Sequence, residues 1–267
     1  LHAHVLGQGR PVVVFDAGMG STSLDWGLLH ERVAARTTAL VYDRAGLGWS
    51  EAGPAPRNST VIASELNKLL IATKLPGPYV LVGHSYGSYN VRTFQRHFPK
   101  SVCGVVLVDG SLEMANIRSD PHSSHLFRFF EAMAHFGFVR AGLAVHQPVI
   151  TSQHYRLGAK RMAAWRASYS LPSAHRAFAL ESLAFSESGD YLRKGERRLG
   201  NIPLAVVSAA PPGVSPALMK LKSEQVELSS VSSHFISTGS GHYVHLEDPE
   251  LVLQGINFVL DALPSVR

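Results

Sequence analysis

Gly83-His84-Ser85-Tyr86-Gly87 sets a serine two residues from a glycine on each side. It directly follows the apolar run Tyr79-Val80-Leu81-Val82 and directly precedes a stretch with helical spacing. A serine hydroxyl attacks only when a base can take its proton. A sharp strand-to-helix turn would expose that hydroxyl and hold the serine at strained backbone angles. Side chains two residues to either side would strike the neighbouring strand or helix, so Gly83 and Gly87 have a steric task. A chance Gly-Ser-Gly turn has no need of such flanks, and Ser85 is expected to be a nucleophile.

The base should lie late in the chain if the order is serine, acid, histidine. Gly241-His242 stands just beyond a last apolar run and before Leu246-Glu247-Asp248-Pro249, and His242 is the expected base. His245 and His234 compete with it. The chain holds 14 histidines, so most must be structural or solvent-facing. Asp16-Ala17-Gly18-Met19-Gly20 forms a glycine-rich turn after an early apolar run, where a backbone N–H can face the serine. A phosphate-binding loop is the rival reading of that turn. No Gly-Lys-Ser/Thr follows, and the glycines do not extend to a dinucleotide fingerprint.

Elements must position these groups. Val12 to Phe15, Ala39 to Tyr42, Tyr79 to Val82, Val105 to Val108 and Leu204 to Val207 are short, Val-rich runs that fit strands buried on both faces. Helical spacing lies between them, as in Ile62, Leu66, Leu69 and Leu70, or Val91, Phe94 and Phe98 before Pro99. The alternation predicts an α/β fold, with helices flanking a mostly parallel central sheet. A last strand is expected near His234 to Ser237, and a closing helix over Leu251 to Leu263. From Ser111 to about Gly200 the strand pattern stops, and aromatic and basic residues mix. That stretch reads as a helical insertion, with the core formed by residues 1–110 and 201–267.

Composition narrows the function classes. Charged residues make up 17% of 267 and apolar residues 45%, enough for one buried core with an excursion. No window holds the ~18 uninterrupted apolar residues of a membrane span, and the first ten residues lack a signal-peptide layout. A cytoplasmic location is slightly favoured; the start at Leu1 leaves room for a leader or anchor upstream. Cys103 is the single cysteine, which rules out an internal disulfide and reads as a small buried hydrophobe. Asn58-Ser59-Thr60 matches the glycosylation triplet, a short pattern that is frequent by chance. Residues 111 to 200 carry 12 Lys or Arg against 7 Asp or Glu, with 13 of each elsewhere, so the whole +5 excess sits in the insertion. No nucleic-acid motif accompanies it. No cofactor or metal is expected.

Together, the Asp16 to Gly20 turn, Tyr42-Asp43-Arg44-Ala45-Gly46-Leu47-Gly48-Trp49-Ser50, the Ser85 motif and Gly241 to Glu247 resemble the serine α/β-hydrolase superfamily. The likeness is to its capped esterase, haloperoxidase-like and dehalogenase-like branch. It implies the α/β-hydrolase fold with residues 111–200 as a helical cap over the catalytic loops. It also implies an oxyanion hole made by the backbone N–H groups of Met19 and Tyr86. The Asp43 to Ser50 stretch would be a structural loop, which leaves Asp43 and Arg44 outside the catalytic set. Most members carry the acid after the strand equivalent to Leu204 to Val207. Here that strand runs into Ser208-Ala209-Ala210-Pro211-Pro212-Gly213, with no carboxylate before Glu224. Asp109, at the end of the Val105 to Val108 run, is the substitute known in dehalogenase-like relatives; Glu113 and Asp190 are its rivals.

The resemblance implies a carboxylesterase or lactonase acting on small molecules through an acyl-enzyme. Perhydrolase or haloperoxidase-like, C–C and amide hydrolysis stay open, as does a ligand receptor or signalling module with a slow triad. A serine elbow argues against dehalogenase and epoxide-hydrolase chemistry, which uses aspartate there. Arg193, Lys194, Arg197 and Arg198 would make a basic entrance suited to anionic substrates, or merely solvate one cap face. Phe127, Phe129, Phe130, Phe136, Phe138 and Trp165 would line an apolar acyl pocket or pack the cap onto the core. The oligomeric state is not legible.

Overall fold

The computed structural model describes residues 1–113, 121–145, 149–196 and 198–264. Among them, strands β1 (Ala3–Leu6), β2 (Val12–Asp16), β3 (Ala39–Tyr42), β4 (Tyr79–His84), β5 (Val102–Val108), β6 (Leu204–Ala209) and β7 (Ser232–Ser237) form one sheet. Its order is β1-β3-β2-β4-β5-β6-β7. Only β1 runs antiparallel, with Ala3 opposite Tyr42; the rest are parallel, with Phe15 opposite Val82 and Val108 opposite Val207. The helices are α1 (His30–Ala34), α2 (Ser59–Ala72), α3 (Gly87–His97), α4 (Pro121–His135), α5 (Phe138–Val145), α6 (Gly158–Tyr169), α7 (Pro172–Lys194), α8 (Pro216–Ser223), α9 (Val244–Glu247) and α10 (Pro249–Asp261).

Strand side chains alternate between two faces, and both faces here are covered, so the runs are apolar throughout. Val13, Phe15, Val82, Val106 and Val108 meet Trp26 and the α10 residues Val252, Ile256 and Val259. Val12, Val14, Leu81, Val105 and Leu107 meet Leu66 and Leu70 of α2 and Val91 and Phe94 of α3. All six expected strands are present, and β4 runs on through Gly83 to His84. Strand β1 was not expected. It pairs on one side only and is half exposed, so its sequence needs no apolar run. Asn58 is buried, caps α2 by accepting from Val61 N–H at 3.0 Å and donates to Glu187 at 2.8 Å. The glycosylation triplet is thus a helix cap.

Between β5 and β6 the described residues hold α4 to α7 and a 3-10 stretch, Val149–Leu157, and no strand. Phe127 stacks on Phe178 at 3.6 Å between ring centres, and Trp165 is buried. Phe129, Phe136 and Phe138 are exposed, Phe136 by 78%, and so do not pack onto the core as expected. Helix α7 lies along α3, with Phe185 against Tyr86 and Tyr89. Arg96, in the last turn of α3, donates to the carbonyls of Tyr191, Leu192 and Glu196. This corrects the basic-entrance expectation. Arg193, Lys194 and Arg198 sit by the C-terminal end of α3, about 15 Å of helix from its N-terminus, where Ser85 lies. Arg197 falls outside the described residues.

Candidate active site

From Tyr79 to Phe94 every residue is buried except Ser85. Ser85 ends the β4 turn at φ +50°, a left-handed conformation that costs a non-glycine residue energy. Neighbours hold it there: its N–H donates to Val108 O at 3.1 Å, and its carbonyl accepts from Ser88 Oγ at 2.6 Å and Ser111 N–H at 3.2 Å. A Cβ on Gly87 would come 2.3 Å from Asp16 O, and one on Gly83 would come 2.6 Å from Gly87 O. The steric reading of the two glycines therefore holds at both positions.

Asp109 caps β5 next door, also with positive φ, at +39°. Its Oδ2 lies 2.6 Å from His242 Nδ1. A carboxylate only accepts, so Nδ1 carries the proton and Nε2 keeps a free lone pair. The second oxygen, Oδ1, accepts from Ala209 N–H at 3.0 Å and from the buried ammonium of Lys222 at 2.7 Å. Burial pushes the Asp109 carboxyl up, but His242 and Lys222 outweigh it and hold it below the ordinary value. Asp109 is buried while the His242 side chain is half exposed, so the imidazole faces the solvent side of a buried anion.

The His242 loop is anchored from two directions. Gly241 N–H donates to Glu247 at 2.9 Å, and His84 Nε2 donates to the His242 carbonyl at 2.9 Å. The His84 ring lies 4.7 Å from the His242 ring, tilted by 43°. Burial, reinforced by His242, pushes His84 down to about 3, so it is a neutral prop. Among the described residues no hydrogen bond joins Ser85 Oγ to His242; such bonds often tighten only when substrate arrives.

The rivals are engaged elsewhere. His245 is buried with neither ring nitrogen hydrogen-bonded, and burial holds it well below its ordinary value. His234 lies 2.9 Å from Ser208 Oγ. Glu113 forms a two-pronged ion pair with Arg92, and Asp190 pairs with Arg193. The Asp16 to Gly20 turn lies against the elbow, since a Cβ on Gly18 would be 3.5 Å from Ser85 Cβ. Met19 follows Gly18 in that turn, and Tyr86, next to Ser85, is the N-cap of α3.

A model of the alpha/beta hydrolase family matches residues 13–254. The chain belongs to that family. Among solved structures, this α/β-hydrolase is similar to a thermophilic esterase from Thermogutta terrifontis, with 20% identity, 97% of this chain and 92% of that one covered, and a TM-score of 0.73. It is likewise similar to the enol-lactonase from Burkholderia xenovorans LB400, with 16% identity, 97% and 96% covered, and a TM-score of 0.72. A probable transporter, efuK, from Hormonema carpetanum is 25% identical over 97% of this chain, which spans 40% of that protein's length.

Three side chains of this α/β-hydrolase's site were not singled out in the sequence: Lys222, Glu181 and the neutral His84. Arg44, read as part of a structural loop, is buried and donates to Asp16 at 2.8 Å and to Glu181 of α7 at 2.7 Å. Burial alone would lower its affinity for the proton; Glu181 and Asp16 reverse that and raise it. Glu181 also accepts from Gly20 N–H at 2.9 Å. A lone Glu in a helical stretch carries no sequence mark of such a role. Lys222 had one faint signal, a cation just after the loop that lacks the expected acid. No helix among the described residues is long and apolar enough to cross a membrane.

Proposed function

We propose that this protein is a serine hydrolase of small-molecule carboxylic esters or lactones that works through an acyl-enzyme. The observation that carries the reading is the 2.6 Å Asp109–His242 hydrogen bond beside the one residue of the elbow that is not buried, Ser85. In the reaction, Ser85 Oγ attacks the carbonyl carbon while His242 Nε2 takes its proton. The backbone N–H groups of Met19 and Tyr86 receive the oxyanion. His242 then hands the proton to the leaving alcohol, and water, deprotonated by the same nitrogen, releases the acid. Asp109 keeps the imidazole in the needed tautomer and stabilises the imidazolium.

Residues 111–200 act in this reading as a cap that shapes the acyl pocket. The solved relatives described as esterase and enol-lactonase support acyl transfer from small molecules. A serine at the elbow sets this chain apart from aspartate-dependent opening of epoxides. The test is a panel of p-nitrophenyl esters and lactones, together with a fluorophosphonate label. Fast labelling with multiple turnovers, both lost in Ser85→Ala, is the expected result. An unchanged label in Ser85→Ala would remove Ser85 from the mechanism. Labelling without turnover would point instead to a ligand receptor that retains a slow triad.

A further inference from the structure

Lys222 is the feature of the site that the reaction above leaves unused. It sits in the last turn of α8, and its ammonium is drawn inward past the surface. There it donates to Asp109 Oδ1 at 2.7 Å and to Ala209 O at 2.7 Å, while Ala209 N–H donates to the same Oδ1 at 3.0 Å. Burying an ammonium is costly unless it is paired. Here it is paired with the one carboxylate that touches His242.

Two physical consequences follow from that contact. With Oδ1 tied down by two donors, the carboxylate cannot rotate, and Oδ2 alone is presented to His242 Nδ1. In addition, the ammonium cancels the charge of Asp109, so the trio is neutral when His242 is neutral and cationic when His242 is protonated. A like charge across a shared carboxylate disfavours the second cation. The other charged and titratable groups around His242 do not duplicate this effect. His84 from β4, Tyr243 just before α9 and His245 from α9 are held neutral by burial. Asp25 and His154 form their own pair at 3.3 Å, and His234 of β7 is pushed down by burial and by Lys222 itself.

We infer that Lys222 is a positioning residue for the Asp109–His242 pair, one that locks the acid by its outer oxygen and keeps His242 able to accept a proton in mildly acidic solution. This rests on Asp109 and His242 being the acid and base of the reaction proposed above. Lys222 is hydrogen-bonded to Asp109 and Ala209, and it acts through Asp109.

The test is the second-order rate of labelling by a fluorophosphonate-rhodamine probe between pH 5 and 9, with thermal melts to check folding. It compares the unsubstituted protein with Lys222→Met, Lys222→Gln, Lys222→Arg and Asp109→Asn. Removing the cation favours the imidazolium, so in Lys222→Met and Lys222→Gln the acid limb should move up by about one pH unit. Labelling on that limb should then be about tenfold slower. The plateau should fall severalfold for Met and less for Gln, whose amide still donates to Oδ1. Lys222→Arg, which keeps the charge, should retain the original limb. Limbs that coincide for the unsubstituted, Met and Gln proteins, or a limb that moves as far in Arg as in Met, would overturn the inference. Near-normal labelling by Asp109→Asn would overturn the underlying acid assignment instead, and the two failures are read from separate arms.

Discussion

Arg44 Nη2 donates to the carbonyl oxygen of Gly18 at 2.6 Å, and through the planar peptide that follows, this contact aims the N–H of Met19. In a trans peptide the N–H points opposite to the carbonyl of the same unit. Arg44 also holds Ala17 O at 2.6 Å, and Ser21 N–H donates to Gly18 O from the far side of the turn at 3.0 Å. A charged side chain thus orients a backbone donor beside Ser85. Glu181, from α7, supplies the counter-charge.

Glu181→Gln should therefore affect both stability and rate. Losing one partner of a buried ion pair should cost about 3 kcal/mol, read as a lower urea midpoint. Because the turn that carries Met19 loosens, kcat for p-nitrophenyl acetate should drop more than KM rises. A midpoint within error of the unsubstituted protein would show that Asp16 alone suffices for Arg44.

Asp109→Asn should remain folded and lose up to ~10⁴ in kcat with little change in KM. Asn can match the shape of Asp109, but it cannot supply the charge that stabilises the imidazolium. It can also offer His242 an N–H, which favours the wrong tautomer. Stopped-flow hydrolysis of a p-nitrophenyl ester measures this directly, and a loss below tenfold would point to another acid.

Two glycine substitutions should behave in opposite ways. Gly87→Ala drives a methyl to 2.3 Å from the Asp16 carbonyl and should abolish labelling or prevent folding. Gly142→Ala, within α5 and with nothing within 4 Å of the new Cβ, should stabilise the helix by about 0.5–1 kcal/mol. Chemical denaturation of both proteins tests the pair. An active Gly87→Ala enzyme would contradict the close approach of elbow and turn.

Acid should weaken the fold well before the carboxylates titrate. His84 and His245 are held neutral by burial, His84 with a value of about 3. In the unfolded chain a histidine takes its proton near 6.5. Below that pH the unfolded state binds protons that the folded state refuses, so stability is full above about 6.5 and declines as pH falls toward 3. Urea midpoints at pH 7.5, 6.5, 5.5 and 4.5 should fall in that order. His245→Phe should flatten the slope, and a flat profile for the unsubstituted protein would contradict the buried neutral pair.

What the sequence determined by itself was whatever depends on near neighbours along the chain. The Val runs could only be doubly buried strands, because their apolar content repeats at every residue and not at every second one. The elbow was legible because two glycines and a serine within five residues answer a local steric demand. His242 was legible from its loop and its place late in the chain. Asp109 was reached through the resemblance and the missing carboxylate after the Leu204 to Val207 run, and Glu113, four residues later, carries the same chemical group. In the tertiary structure Asp109 directly follows β5 and meets His242, 133 residues away, while Glu113 turns to Arg92. Glu181 was invisible and Lys222 nearly so for the same reason, since their partners Arg44 and Asp109 lie 137 and 113 residues away. A charged side chain in a sequence reads as solvated surface by default. Whether it is drawn inward to a buried partner is decided by the order in which strands join the sheet and by how the helices close over it, because only that packing removes the water that would otherwise satisfy the charge.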